Sequence, residues 1–128
     1  NDTASSESER SKPVAAYDAK IKKALRYIDM HFSEDLRLED VAAHIYLSPY
    51  YFSKLFKKQL GIGFNAYVTQ QRMNNAKQML QYSDWSIASI AKNLGFSQTS
   101  YFCKVFRQTF QVTPQMYRDT LVSDGLAS

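Results

Sequence analysis

A chain of 128 residues with a hydrophobic share of 45% can bury the core of one compact unit or two very small ones. Its single Cys excludes an intramolecular disulfide and suits a reducing, cytoplasmic setting, and no run of 18 apolar residues offers a membrane span. The net charge is +4, and four Gly and three Pro favour long helices over many tight turns.

Residues 1–13 are polar and lack an apolar period, which predicts a disordered tail or an interdomain linker. No signal peptide is visible, and a start at Asn1 rather than Met is expected of a piece of something longer. From Asp18, a ready N-cap, Ile21, Ala24, Leu25 and Ile28 recur at helical spacing, with Lys20, Lys22, Lys23 and Arg26 outward. Ser33-Glu34-Asp35 breaks this helix. A short second helix follows from Leu38 to Ile45, with Val41 and Ala42 inward. Ser48 then caps a third helix with Pro49 at its first position, Leu47 and Phe52 forming a staple across the cap. That helix buries Phe52, Leu55, Phe56 and Leu60 and ends at Gly61.

The longest helical pattern runs from Phe64 to Tyr82, with Tyr67, Val68, Met73, Ala76, Met79 and Leu80 as contacts. Ser86 caps a fifth helix over Ile87–Leu94, with Trp85 stapled to Ile90. Gly95 suits a left-handed turn, and Ser97 is the expected N-cap of a sixth helix over 98–110. Phe102, Val105, Phe106 and Phe110 form its inner stripe. Thr113-Pro114 opens a short seventh helix that is expected to fray after Arg118.

Two halves of this pattern repeat. Leu38, Val41, Ala42, Ile45 and Ser48 match Ile87, Ile90, Ala91, Leu94 and Ser97 at an offset of 49. Tyr51, Phe52, Lys54, Phe56, Lys57, Leu60, Ile62 and Tyr67 match Tyr101, Phe102, Lys104, Phe106, Arg107, Phe110, Val112 and Tyr117 at an offset of 50. Each half is a short helix, a tight turn and a longer helix, the helix-turn-helix order in which the second helix enters the major groove. A helical solenoid needs three or more repeats and caps, and packing alone does not require the matched outward cations at 54/104 and 57/107.

Charge follows the repeat. Val41–Arg118 carries nine basic residues against one acid, Asp84, a local charge of +8, whereas the first 40 residues sum to −2. Such an imbalance suits a polyanionic partner better than an ordinary solvated surface, which mixes both signs. Catalytic chemistry has little to stand on: Asp84 lacks a partner carboxylate, and no phosphate loop, nucleophile elbow or dinucleotide fingerprint is present. His31 and His44 have no Cys or carboxylate at ligand spacing. No catalytic residue, metal or cofactor is therefore expected.

Leu60-Gly61 with Tyr67, Ser86-Ile87-Ala88-Ser89-Ile90-Ala91 and the run from Leu94 to Phe102 resemble AraC/XylS-type bacterial transcription regulators. Val105-Phe106-Arg107 and Val112-Thr113-Pro114-Gln115-Met116-Tyr117-Arg118 complete the likeness, which covers about residues 18–119. It implies an all-α, seven-helix, bilobed DNA-binding domain. The divisions are a first helix-turn-helix subdomain over 14–62, a linker helix over 63–82, a second subdomain over 83–121 and a frayed C-terminus over 122–128. The first repeat is similar to regulators of propanediol use and cobalamin synthesis. Two positions depart from the family: Gln111 stands where Gly is usual, which bears on the turn, and Lys104 where Arg is common, which weakens a bidentate guanine contact.

The resemblance places base contacts at Tyr50, Ser53 and Lys54, beside the cap Ser48. Lys57 and Lys58 read as phosphate contacts. Tyr50 has two readings, a ring against a thymine methyl or a ring packed on the first turn. The second face comprises Gln98, Thr99, Ser100, Cys103 and Lys104, with Arg107 toward phosphate; Gln98 or Thr99 would bond base edges. Cys103 reads as a small contact to base or sugar rather than a redox switch. The N-termini of the second and fifth helices are candidate phosphate sites. The partners implied are double-stranded DNA, RNA polymerase as an activator contacts it, and a separate effector or dimerisation domain of the same chain, with no membrane. The rival reading is a helical protein-interaction module with a basic face. A single-strand RNA binder would instead need an exposed aromatic platform.

Overall fold

A computed structural model describes residues 17–123, and among these the elements are seven α-helices and no strand. They are α1 Ala19–His31, α2 Leu38–His44, α3 Pro49–Leu60, α4 Phe64–Tyr82, α5 Ile87–Asn93, α6 Thr99–Phe110 and α7 Pro114–Ser123. The chain packs as two compact units. Among the described residues, one takes 17–32 together with Leu36–Thr69, and the other takes Ser33–Asp35 and 70–123, so α4 contributes residues to both. The tail expected over 1–13 lies outside the described residues.

In the first unit Asp18 caps α1 by accepting from the Lys20 N–H, and Ser48 caps α3 by accepting from the Tyr51 N–H, with Pro49 in the first turn. At α2 the Asp40 carboxylate reaches back to the Arg37 N–H, which ties down that helix start. Ile21, Ala24, Ile28, Val41, Ala42, Phe52 and Phe56 are fully buried and share one core. Phe52, Phe56 and Phe64 meet edge to face, with centroids 5.6–6.0 Å apart. This aromatic cluster fixes which face of α3 turns inward.

The second unit is built the same way. Ser86 caps α5 by accepting from the Ser89 N–H, and Thr113 accepts from the Met116 N–H at the start of α7. Met73, Ala76, Leu80, Ile90, Ala91, Phe102 and Phe106 are buried, and Phe102, Phe106 and Phe110 stack along α6. Arg118 clamps the unit: its guanidinium donates to the carbonyls of Leu80, Ser83 and Trp85 at 3.2, 3.0 and 2.6 Å.

Two local expectations are corrected. The cap of α6 is Gln98, not Ser97, and its side chain makes no capping bond. The reason is the offset: α3 begins at 49 and α6 at 99, so the inserted residue falls in the turn and moves Ser97 off the cap position. The seventh helix does not fray after Arg118 but continues to Ser123, because Leu121 is buried and Arg118 is held; residues 124–128 lie outside the described part.

Candidate nucleic-acid interface

Burial of Phe52, Phe56 and Leu60 leaves the opposite face of α3 to solvent. Ser48, Tyr50, Ser53, Lys54, Lys57 and Lys58 are all exposed there. Tyr50 is 72% exposed, which removes the reading of a ring packed into the first turn. The Lys54 ammonium instead lies over it, 5.0 Å from the ring centroid, as residues four apart on a helix can.

On α6 the buried stripe of Phe102, Val105 and Phe106 leaves Thr99, Ser100, Lys104 and Arg107 exposed, with Gln98 exposed just before the helix and Cys103 half-buried on it. Ser100, Cys103, Lys104 and Arg107 come together with Gln108 and Thr113 around an open hollow of about 540 Å³. Burial pushes the Cys103 thiol up, which disfavours the thiolate that redox chemistry needs.

The basic residues divide into two groups that spacing did not separate. Lys54, Lys57, Lys58, Lys92, Lys104 and Arg107 are exposed. Arg72, Lys77 and Arg118 are engaged internally. Arg72 donates to the Glu34 carbonyl at 2.8 Å and lies over the Phe96 ring; burial lowers its pKa while Asp35 opposes that shift. Lys77 sits 4.3 Å from the Phe110 centroid. These three make contacts within the second unit.

No acid interrupts α3, α4 or α6, so no carboxylate on those helices opposes an anion. The two candidate phosphate sites at helix starts differ. α2 opens with Glu39 and Asp40 in its first turn, which disfavours phosphate there, whereas α5 has no acid in its first turn. His31 and His44 both lie against Tyr27, each with ring centroids 4.3 Å from it. Among the described residues no group of three His, Cys, Asp or Glu side chains could hold a metal ion. No helix of the described residues is long and apolar enough to cross a membrane.

Paired short and long helices, the long one turning a basic and acid-free face outward in each unit, define a helix-turn-helix protein. The helix-turn-helix domain family matches residues 41–120, and the chain belongs to it, in the AraC/XylS-type branch. Regulatory protein PocR of Salmonella typhimurium is 75% identical over 105 residues, 82% of this chain and 35% of that protein. The chain thus spans about a third of that relative's length. Among solved structures, the C-terminal domain of AraT, a response regulator from Geobacillus stearothermophilus, is similar with a TM-score of 0.80 and 36% identity, over 82% of this chain and 88% of that one. An AraC-type transcriptional regulator from Chromobacterium violaceum gives 0.73 and 31%, over 78% and 89%.

Proposed function

We propose that this chain is the sequence-specific, double-stranded-DNA-binding part of a bacterial transcription regulator acting in the cytoplasm. In this reading α3 and α6 enter successive major-groove segments of one operator. The observation that carries it is the duplicated outward face: Lys54 with Lys57 on α3 and Lys104 with Arg107 on α6, exposed at matching positions with no acid on either helix. Tyr50, Ser53 and Lys54 read base edges in one segment, and Gln98, Thr99, Ser100, Cys103 and Lys104 read them in the other. Lys57, Lys58 and Arg107 bind phosphates and set the register. Because the chain spans only about a third of PocR, we assign effector binding or dimerisation to the rest of a longer protein and place RNA polymerase among its partners.

Successive major-groove segments on one face of B-DNA lie about ten base pairs apart. Lys54→Ala and Lys104→Ala should each weaken operator binding by about 1–3 kcal/mol and relax specificity at different base pairs, separated by about ten. Site selection with each variant beside the parent measures this. If both relax the same base pairs, or neither alters sequence preference, the two-segment reading is wrong. A gel shift abolished by excess random duplex would favour the protein-interaction rival instead.

A further inference from the structure

Helix α1 stands outside the duplicated pattern, which begins at Leu38, so DNA reading by α3 and α6 does not account for its charge. It carries Lys20, Lys22, Lys23 and Arg26 against one acid, Asp29. Lys20 is engaged at the turn, where its ammonium donates to the Ile45 carbonyl at 2.8 Å. Lys23 and Arg26 are exposed and meet Tyr27, Met30 and His31, with His44 from the end of α2, around a second open hollow of about 300 Å³. The Lys23 ammonium is also 6.0 Å from the Tyr46 ring, the outer limit of a cation–π contact. His31 and His44 both lie against the Tyr27 ring, so part of the wall is aromatic. Met30, 75% exposed, adds an apolar edge. Among the described residues no carboxylate lines the hollow, and neither does any of the candidate DNA contacts.

The shape argues against a duplex and against a free small molecule. Phosphate rows are met by cations standing out from a helix, as the exposed Lys57 and Lys58 do on α3, whereas here the cations edge a recess walled by rings. A hollow of about 300 Å³ that opens to solvent is at the lower limit for enclosing a free ligand. It has room for a side chain of a segment that continues across the surface. The rings and the alkyl stems of Lys23 and Arg26 offer apolar contact, and their charged heads donate to carboxylates. We propose that this hollow docks an acidic segment of a partner protein. One apolar side chain of that segment sits against Tyr27 and its two histidines, and flanking carboxylates pair with Lys23 and Arg26. The first unit then holds DNA through α3 and a protein through α1, on separate residues. This goes beyond the DNA-reading function and does not depend on it.

A short synthetic peptide with Glu on both sides of a central Leu tests it, beside the same peptide with Gln for every Glu. Each is titrated into the isotope-labelled chain and followed by NMR. The acidic peptide should shift the resonances of Lys23, Arg26, Tyr27, His31 and His44 and leave those of α3 and α6 in place. The Gln peptide should bind about tenfold more weakly, and so should the acidic peptide to Lys23→Glu with Arg26→Glu, at unchanged operator affinity. No shift at millimolar acidic peptide would overturn the proposal, as would equal binding of the two peptides or shifts confined to α3 and α6. A loss of operator affinity with a shallower salt slope in the double variant would assign the hollow to DNA phosphates and overturn it equally. Circular-dichroism melts check the variant, and the parent's response to the two peptides decides the matter even if the variant fails to fold. Absence of any sequence preference in the parent's DNA binding would instead overturn the DNA-reading function.

Discussion

Among the described residues four take a left-handed backbone, and they form two equivalent pairs across the repeat. Tyr46 and Gly95 close the turn before each recognition helix, at φ +62° and +95°, and Gly61 and Gln111 end those helices at +82° and +66°. Each pair holds one glycine and one residue with a side chain. Gly95 has no alternative: a Cβ there would stand 2.5 Å from the Ser33 carbonyl oxygen. Tyr46 is 83% exposed, with the ammonium groups of Lys20 and Lys23 about 6 Å from its ring. Gly95→Ala should therefore destabilise by at least ~1–2 kcal/mol, the left-handed penalty alone, whereas Gln111→Gly should be neutral or stabilising by up to about 1 kcal/mol. Denaturant melts of the two variants measure the contrast, and a loss at Gly95→Ala no larger than the left-handed penalty would show that the Ser33 contact does not matter. Tyr67 supplies a pH test. Burial, with Asp29 and Tyr17 adding to it, pushes its hydroxyl up to about 12 from an ordinary 10. The unfolded chain then ionises first, so the contribution of Tyr67 is intact below pH 10 and is lost as pH rises toward 12. Tyr67→Phe should flatten the thermal melting temperature across that window relative to the parent.

At the scale of elements, each recognition helix is held by aromatic packing on one side only. On α6 the fully buried Phe106 touches Phe102, Phe110 and Tyr117, with centroids 4.8–6.0 Å apart. Phe106→Ala should cost roughly 3–5 kcal/mol by leaving a cavity, and DNA binding should fall together with the helical signal of the second unit. Tyr101→Ala is the control on the same helix: Tyr101 is 58% exposed, so its removal should change stability by only about 0.5 kcal/mol. An unchanged circular-dichroism melt for Phe106→Ala would show that the stripe does not anchor α6. The helix-six stripe was legible because every fourth position or so is aromatic. The cap was not, because a single inserted residue is enough to move Ser97 out of place.

For the whole molecule the quantity that matters is how many cations remain for DNA. Nine lie between Val41 and Arg118, but Arg72, Lys77 and Arg118 are engaged with carbonyls and rings of their own unit, leaving six exposed. With Lys54 and Lys104 on bases, Lys57, Lys58, Lys92 and Arg107 remain for phosphates, and if three to four of them reach one, log K against log salt should slope at roughly −3 to −4. Filter binding over a range of KCl concentrations gives the slope. A value near −1 would favour a protein partner over duplex DNA.

By itself the sequence determined the helices, their order and the duplication, because apolar periodicity, caps and glycine turns act over a few residues and leave a local trace. Ser48, Ser86, Gly61 and Gly95 all act as their neighbourhoods require. It also marked the outward faces, since a helix that buries Phe52 and Phe56 must expose Lys54 and Lys57. Only the tertiary structure decided which cations are available, that Tyr50 stands out under Lys54 while Ser100 borders a hollow, and that α7 continues past Arg118. The engaged cations and the length of α7 depend on groups far apart in the chain, 33 residues in the case of Arg118 and the Trp85 carbonyl. A guanidinium shows the same three letters in the sequence whether it meets a phosphate or the carbonyls of its own fold.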